Sequence, residues 1–169
     1  MIISAIDIGI SGSAKTEEEA YALADGANAF AKKVRAAGLS FSYHNHSHEY
    51  VRMASGETVM DILLRKFDPE LVDLMPDTYW LQHGGADVRD FIEKHGTRVK
   101  ILHMKDMKRT ADGVTFAEIG IGNLNMPGII NEAKKKGIEY FVVEQDLCDG
   151  DPLESARISA VNMKKLLGE

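Results

Sequence analysis

Four residues of metal-ligand type stand at the ends of four apolar runs in this chain. His44 follows Phe41-Ser42-Tyr43, Asp77 follows Leu74-Met75-Pro76, His103 follows Ile101-Leu102, and Glu144 follows Val142-Val143. Two imidazoles and two carboxylates make a mixed nitrogen and oxygen donor set. Such a set suits Mn²⁺, Zn²⁺, Co²⁺ or Mg²⁺ better than a thiolate-seeking metal, and it leaves coordination positions for vicinal substrate oxygens. Each residue alone has a plainer reading: Asp77 as a turn former or helix cap, His103 as a hydrogen-bonded structural histidine, Glu144 as an ion-pair partner. Their coincidence at four equivalent run ends points to a metal or polyol site.

Those runs must be strands joined by helices. Ile2 to Ile6, Leu39 to Tyr43, Leu71 to Met75, Arg98 to Leu102 and Glu139 to Val143 have strand length and composition. Between them the pattern turns helical. Thr16 and Glu19 form a capping-box pair ahead of Ala20, Leu23, Ala24, Ala27, Phe30, Ala31 and Val34, and Gly38 supplies a stop. A weaker helix is expected over Thr58 to Lys66, and another from the cap Asp87 to His95. Pro127 opens a short helix ending near Gly137, and Asp151-Pro152-Leu153-Glu154 starts a terminal helix. Lys108 to Asn125 reads as a long functional loop with a hairpin around Asp112-Gly113. This alternation predicts parallel βαβ units in one α/β domain spanning residues 1–169. In such sheets ligands bind at the carboxyl edge, where the four residues stand.

Composition narrows the function. The net charge of -6 argues against nucleic acid, because phosphate binding rewards a basic surface. No apolar run approaches the length of a membrane span. The single Cys148 cannot form an internal disulfide, and the first residues lack a signal-peptide pattern, so a cytoplasmic protein is expected. Gly120-Ile121-Gly122 lacks the strand and helix of a dinucleotide fingerprint. His48 and His95 read as exposed surface residues, and Lys134-Lys135-Lys136 as a solvated helix face.

At these strand ends the chain resembles the sugar phosphate isomerase/epimerase family of the xylose-isomerase-like TIM-barrel superfamily. The matching stretches are YHNHSHEY (residues 43–50), DTYW (77–80), HGGAD (83–87), ILHMKD (101–106), EIGIGNLN (118–125) and VEQD (143–146), in the family's order. The resemblance covers the last five strands of the barrel and implies a partial (β/α) barrel of about five parallel strands, lacking the first three βα units. Such an arc would leave two open sheet edges, so a homodimer covering them is expected.

Carried over, Asp77, His103 and Glu144 fall on metal-ligand positions, and His44 takes the position where the family often has Glu. The resemblance implies a metal-dependent isomerase or epimerase working by proton transfer next to a carbonyl of a sugar or sugar phosphate. Glu144, with His46 or Lys105, would move protons. Trp80 would stack on the sugar, while Gln82, His83 and Arg109 would contact hydroxyls or a phosphate. Epimerases of this fold exchange protons between two metal-bound glutamates on opposite faces, and only Glu144 is in place here. An inosose-type dehydratase on the same site is therefore the alternative. A catalytically inactive homodimeric remnant is a further one, and an endonuclease-like hydrolase conflicts with the acidic composition.

Overall fold

The computed structural model describes the backbone of residues 5–6 and residues 14–169. The first strand, β1 (Ala5–Ile6), lies inside the run expected over Ile2 to Ile6, of which residues 2–4 fall outside the described residues. Helix α1 (Glu17–Ala36) is capped by Thr16, whose hydroxyl accepts from the Glu19 N–H. The Glu19 carboxylate turns to the Lys15 N–H, one residue before its expected partner. The buried stripe of α1 is Ala20, Ala24, Ala27, Ala31 and Val34. Small side chains let it pack closely on α2 (Val59–Lys66), where Thr58 and Asp61 complete a reciprocal capping box.

Between these helices runs β2 (Ser40–His44), parallel to β1 on one side and to β3 (Val72–Met75) on the other, with His44 opposite Met75. A six-residue helix, α3 (Thr78–His83), follows β3 directly. It is too short to leave a helical period and was not expected from sequence. Helix α4 (Val88–His95) starts at Asp87 as expected, and Gly96–Arg98 then form a 3-10 turn. That turn takes up the start of the strand expected at Arg98. Arg98 instead donates to the carbonyls of Leu64 and Phe67, and β4 covers Ile101–Met104.

The expected hairpin is present as β5 (Asp106–Thr110) and β6 (Gly113–Ala117), antiparallel, with Gly113 at a φ of 141° that favours glycine. Helix α5 (Met126–Lys135) carries Pro127 in its first turn and is capped by Asn125. Strand β7 (Tyr140–Val143) runs parallel to β4, and α6 (Pro152–Leu167) closes the chain. Asp151 caps α6 as expected, while Glu154 pairs with Arg157 rather than reaching back.

The two parallel ladders, β1-β2-β3 and β4-β7, are linked through bridges between Leu74 and Val99 and between Asp77 and His103. The His103 N–H donates to the Pro76 carbonyl and the Glu144 N–H to the Met104 carbonyl. These bonds continue the pairing to the carboxyl edge and bring the ends of β2, β3, β4 and β7 together. No helix among the described residues is long and apolar enough to cross a membrane.

Candidate metal centre

The carboxyl edge gathers His44, Asp77, His103 and Glu144 so that one ligand atom from each lies within 4.8 Å of the others. His44 is the last residue of β2, Asp77 caps α3, His103 sits within β4, and Glu144 follows β7. Asp77 is fully buried, and the packing that holds it is specific. Its N–H donates to Asn45 Oδ1 at 3.0 Å, and its Oδ1 accepts from the Trp80 N–H at 2.9 Å. Oδ2 is left facing the cluster, 4.0 Å from His44 Nε2. The plainer reading of Asp77 as a helix cap is therefore true of one oxygen and leaves the other for the site. Glu144 Oε2 pairs with His103 Nδ1.

Lys105 enters from β4's end and is wholly buried. Its Nζ lies 3.0 Å from Asp77 Oδ2, 3.2 Å from Glu144 Oε1 and 2.8 Å from Asp146 Oδ1. The first two are ion contacts, and the third is an aligned hydrogen bond. The Thr78 hydroxyl fixes the Lys105 main chain by donating to its carbonyl at 2.7 Å and accepting from its N–H at 2.9 Å.

Burial, with His103 alongside, lowers the His44 pKa and keeps its ring neutral, with a lone pair free. Asp77 is pushed up to about 6 by burial, against the pull of Lys105 and the Trp80 amide. Glu144 is held below the usual carboxylate range by the hydrogen bond from His103 and by Lys105, despite partial burial. Burial disfavours charge on Lys105, but Asp77, Asp146 and Glu144 outweigh it and keep the ammonium protonated.

The donor set fits a divalent ion. Asp77 Oδ2 is a buried carboxylate oxygen with no hydrogen-bond partner, only contacts with Lys105 Nζ and His44 Nε2. Three carboxylates, one of them the buried Asp77, surround a single ammonium and leave a surplus of negative charge that a divalent cation neutralises.

The other residues expected at the site divide. Trp80 lies beside it, with Lys105 Nζ 5.4 Å from its ring centre. The His46 ring is 5.0 Å from His44 and 5.4 Å from Trp80, and burial lowers its pKa. His83 stacks on Tyr79 at 5.5 Å but is exposed. Gln82 and Arg109 are exposed, and their side chains take no part in the cluster's hydrogen bonds or ion pairs. His48 and His95, expected on the surface, are both half-buried. Sequence reasoning gave no role to Asp146, Asn45, Thr78 or Phe116, although Asp146 stands in the VEQD stretch. Phe116 comes from the hairpin and packs against Tyr79 at 4.4 Å, over the Trp80 side of the site.

Residues 4–165 match the family described as the xylose isomerase-like TIM barrel. The chain belongs to that family. Members similar to it include inosose dehydratase 2 of Bacillus cereus, 32% identical over 162 residues, covering 83% of this chain and 52% of that protein. An inosose dehydratase of Salmonella typhimurium is 29% identical over 176 residues, covering 90% of this chain and 56% of that one. Among solved structures, a sugar phosphate isomerase/epimerase from Parabacteroides distasonis ATCC 8503 superposes with a TM-score of 0.79 at 28% identity. It covers 90% of this chain and 55% of that one. This xylose isomerase-like chain therefore spans about half the length of the curated relatives it matches. The TIM-barrel-like α/β fold and the family read from the strand-end motifs agree with these matches.

Proposed function

We propose that this chain carries the metal-binding and proton-transfer side of a dehydratase acting on an inosose-type cyclic keto-polyol. The observation that carries this reading is a lone ligand-position glutamate, Glu144, in contact with a buried ammonium, Lys105, 3.2 Å away. Epimerisation by two glutamates needs carboxylates on opposite faces of the substrate, whereas His44 occupies the second position. A base and an acid side by side suit elimination, in which one proton is taken and one given on the same face. The named relatives at 32% and 29% identity support the same class.

A divalent ion held by His44, Asp77, His103 and Glu144 would supply Lewis-acid polarisation of the substrate carbonyl. Glu144, ionised through His103 and Lys105, takes the proton from the carbon next to that carbonyl. Lys105 gives a proton to the hydroxyl leaving the next carbon. The C–H and C–O bonds break, a C=C bond forms and one water leaves, so no oxidant or reductant is required. Glu144 then returns its proton to Lys105 across their contact. Trp80 offers an apolar face to the ring, and Phe116 backs it.

Replacing Lys105 by methionine separates chemistry from metal uptake, because Lys105 is not a ligand. Turnover of an inosose, followed as product absorbance, is expected to fall by about 10²–10⁴-fold. Metal content per chain should hold or rise. Wild-type turnover in Lys105→Met would remove the acid role. The second reading, isomerisation or epimerisation of a sugar phosphate, draws on the Parabacteroides structure. It is recognised by solvent deuterium entering recovered substrate without loss of water.

This reading keeps the expected homodimer. Among the described residues β1 pairs with β2 alone and β7 with β4 alone, and Val142 on β7 is exposed. Light scattering on a sizing column should report twice the chain mass, and a monomer would discard this element.

A further inference from the structure

Beside the strand-end cluster, the loop after β2 folds His46, His48 and Glu49 into a second group whose ligand atoms also lie within 4.8 Å of one another. Glu49 is fully buried. Its Oε1 accepts from the Tyr43 hydroxyl at 2.8 Å, and its Oε2 accepts from the His46 N–H at 2.9 Å. No Lys or Arg ion-pairs with it among the described residues, and its only ion-pair partner is His48 Nε2 at 3.6 Å. A buried carboxylate with no cation is costly, so the site calls for positive charge.

His46 Nδ1 and His48 Nε2 are both buried, and neither has a hydrogen-bond partner. Their rings are stacked, 13° from parallel, with centres separated by 5.6 Å. Imidazole lone pairs lie in the ring plane, so an ion would be held at the edges of the stacked rings, where one ligand atom of each residue lies within 4.8 Å of the others. The Tyr43 hydroxyl orients the Glu49 carboxylate, as outer hydrogen bonds do around metal ligands. His48 also lines an open groove of about 250 Å³ with Lys15, Val51, Arg52 and Met53, which provides an entry path.

We propose that His46, His48 and Glu49 hold a second divalent ion of the zinc class, next to the ion assigned to the strand-end cluster. Two imidazole nitrogens and one carboxylate oxygen favour zinc-class transition ions over Mg²⁺ or Ca²⁺, and leave coordination positions for water or a substrate oxygen. The His44 and His46 rings are 5.0 Å apart, so the two ions would share one sheet edge. His46, expected from sequence to move protons, is here a ligand. A protonated His48 would balance the Glu49 charge without an ion, and the two cases differ in stoichiometry.

The test is Co²⁺ and Zn²⁺ binding to the full chain, read as ions per chain by elemental mass spectrometry and as the visible spectrum of bound Co²⁺. His48→Gln is the main variant because the His48 side chain is 38% exposed and its loss spares the core. Wild type should bind two ions, His48→Gln one, Asp77→Asn one, and the double variant none. A single ion lost in His48→Gln and kept in Asp77→Asn would support this site while removing the strand-end one. Stoichiometry unchanged by His48→Gln overturns the proposal. So does a single ion lost in either variant, which would mean one site spread over both groups.

Discussion

Replacing Asp77 with asparagine is expected to weaken divalent-ion binding at the strand-end cluster by at least about 100-fold while the fold persists. Asparagine keeps the volume, and its side-chain oxygen still accepts from the Trp80 N–H that starts α3. What it removes is the ionised Oδ2 that faces His44 and Lys105. Chelator competition gives the affinity, and circular dichroism confirms the fold. The same residue sets a pH dependence. Its carboxyl is raised from 3.8 to about 6 by burial, so the folded chain holds this proton more tightly than the unfolded one. The stability this contributes to the metal-free protein is full below the ordinary value and is lost as pH rises through about 6. Metal binding runs the other way, because the ion must displace the proton. Affinity should fall by about tenfold per pH unit below pH 6, with one proton released per ion bound. Asp77→Asn should flatten that slope, and an unchanged slope would show that Asp77 is not the group competing with the ion.

The four strand-end residues were legible because a parallel strand ends its apolar run where its side chains first meet solvent and ligand. His103 remained legible although β4 begins three residues later than expected, since the run and the histidine move together. The 3-10 turn at Gly96–Arg98 displaced the strand through long-range bonds from Arg98 to Leu64 and Phe67, which no local pattern contains. The parts that were not legible share that character. Asp146 matters because it meets Lys105 across 41 residues, and Thr78 because it clasps the Lys105 main chain across 27. Lys105 was expected to move protons together with Glu144, but the sequence did not show that three carboxylates and complete burial hold it as the ammonium an acid must start from. His48 looked like a surface residue because the loop's own fold, around the buried Glu49, is what covers its ring nitrogen.

The largest stability effect is expected in the EIGIGNLN loop, which Asp106 holds from beneath. Asp106 is fully buried and accepts from four main-chain N–H groups: Met107 at 2.8 Å, Gly120 at 2.9 Å, Gly122 at 3.1 Å and Leu124 at 3.2 Å. Burial pushes its carboxyl up, and those amides pull against it. Alanine at 106 would leave the amides unpaired unless the loop opens to water, a loss of about 3 kcal/mol and about 10 °C in melting temperature. Gly122→Ala should act from the other side of the same contact. A Cβ there would lie 2.3 Å from Asp106 Oδ1 and 2.6 Å from the Met107 carbonyl, and neither is a free-swinging chain end. Overpacking of this kind costs about 1–3 kcal/mol, so the two variants should be comparable and their double mutant less than additive. Gly150→Ala, with nothing within 4 Å of the added carbon, is the control and should melt with wild type. Asp106 directly follows Lys105 in the chain, so releasing the loop is expected to loosen the main chain that sets the ammonium among Asp77, Glu144 and Asp146. Asp106→Ala should therefore lose turnover by a larger factor than thermal unfolding explains at the assay temperature. Turnover that tracks the folded fraction alone would confine Asp106 to stability.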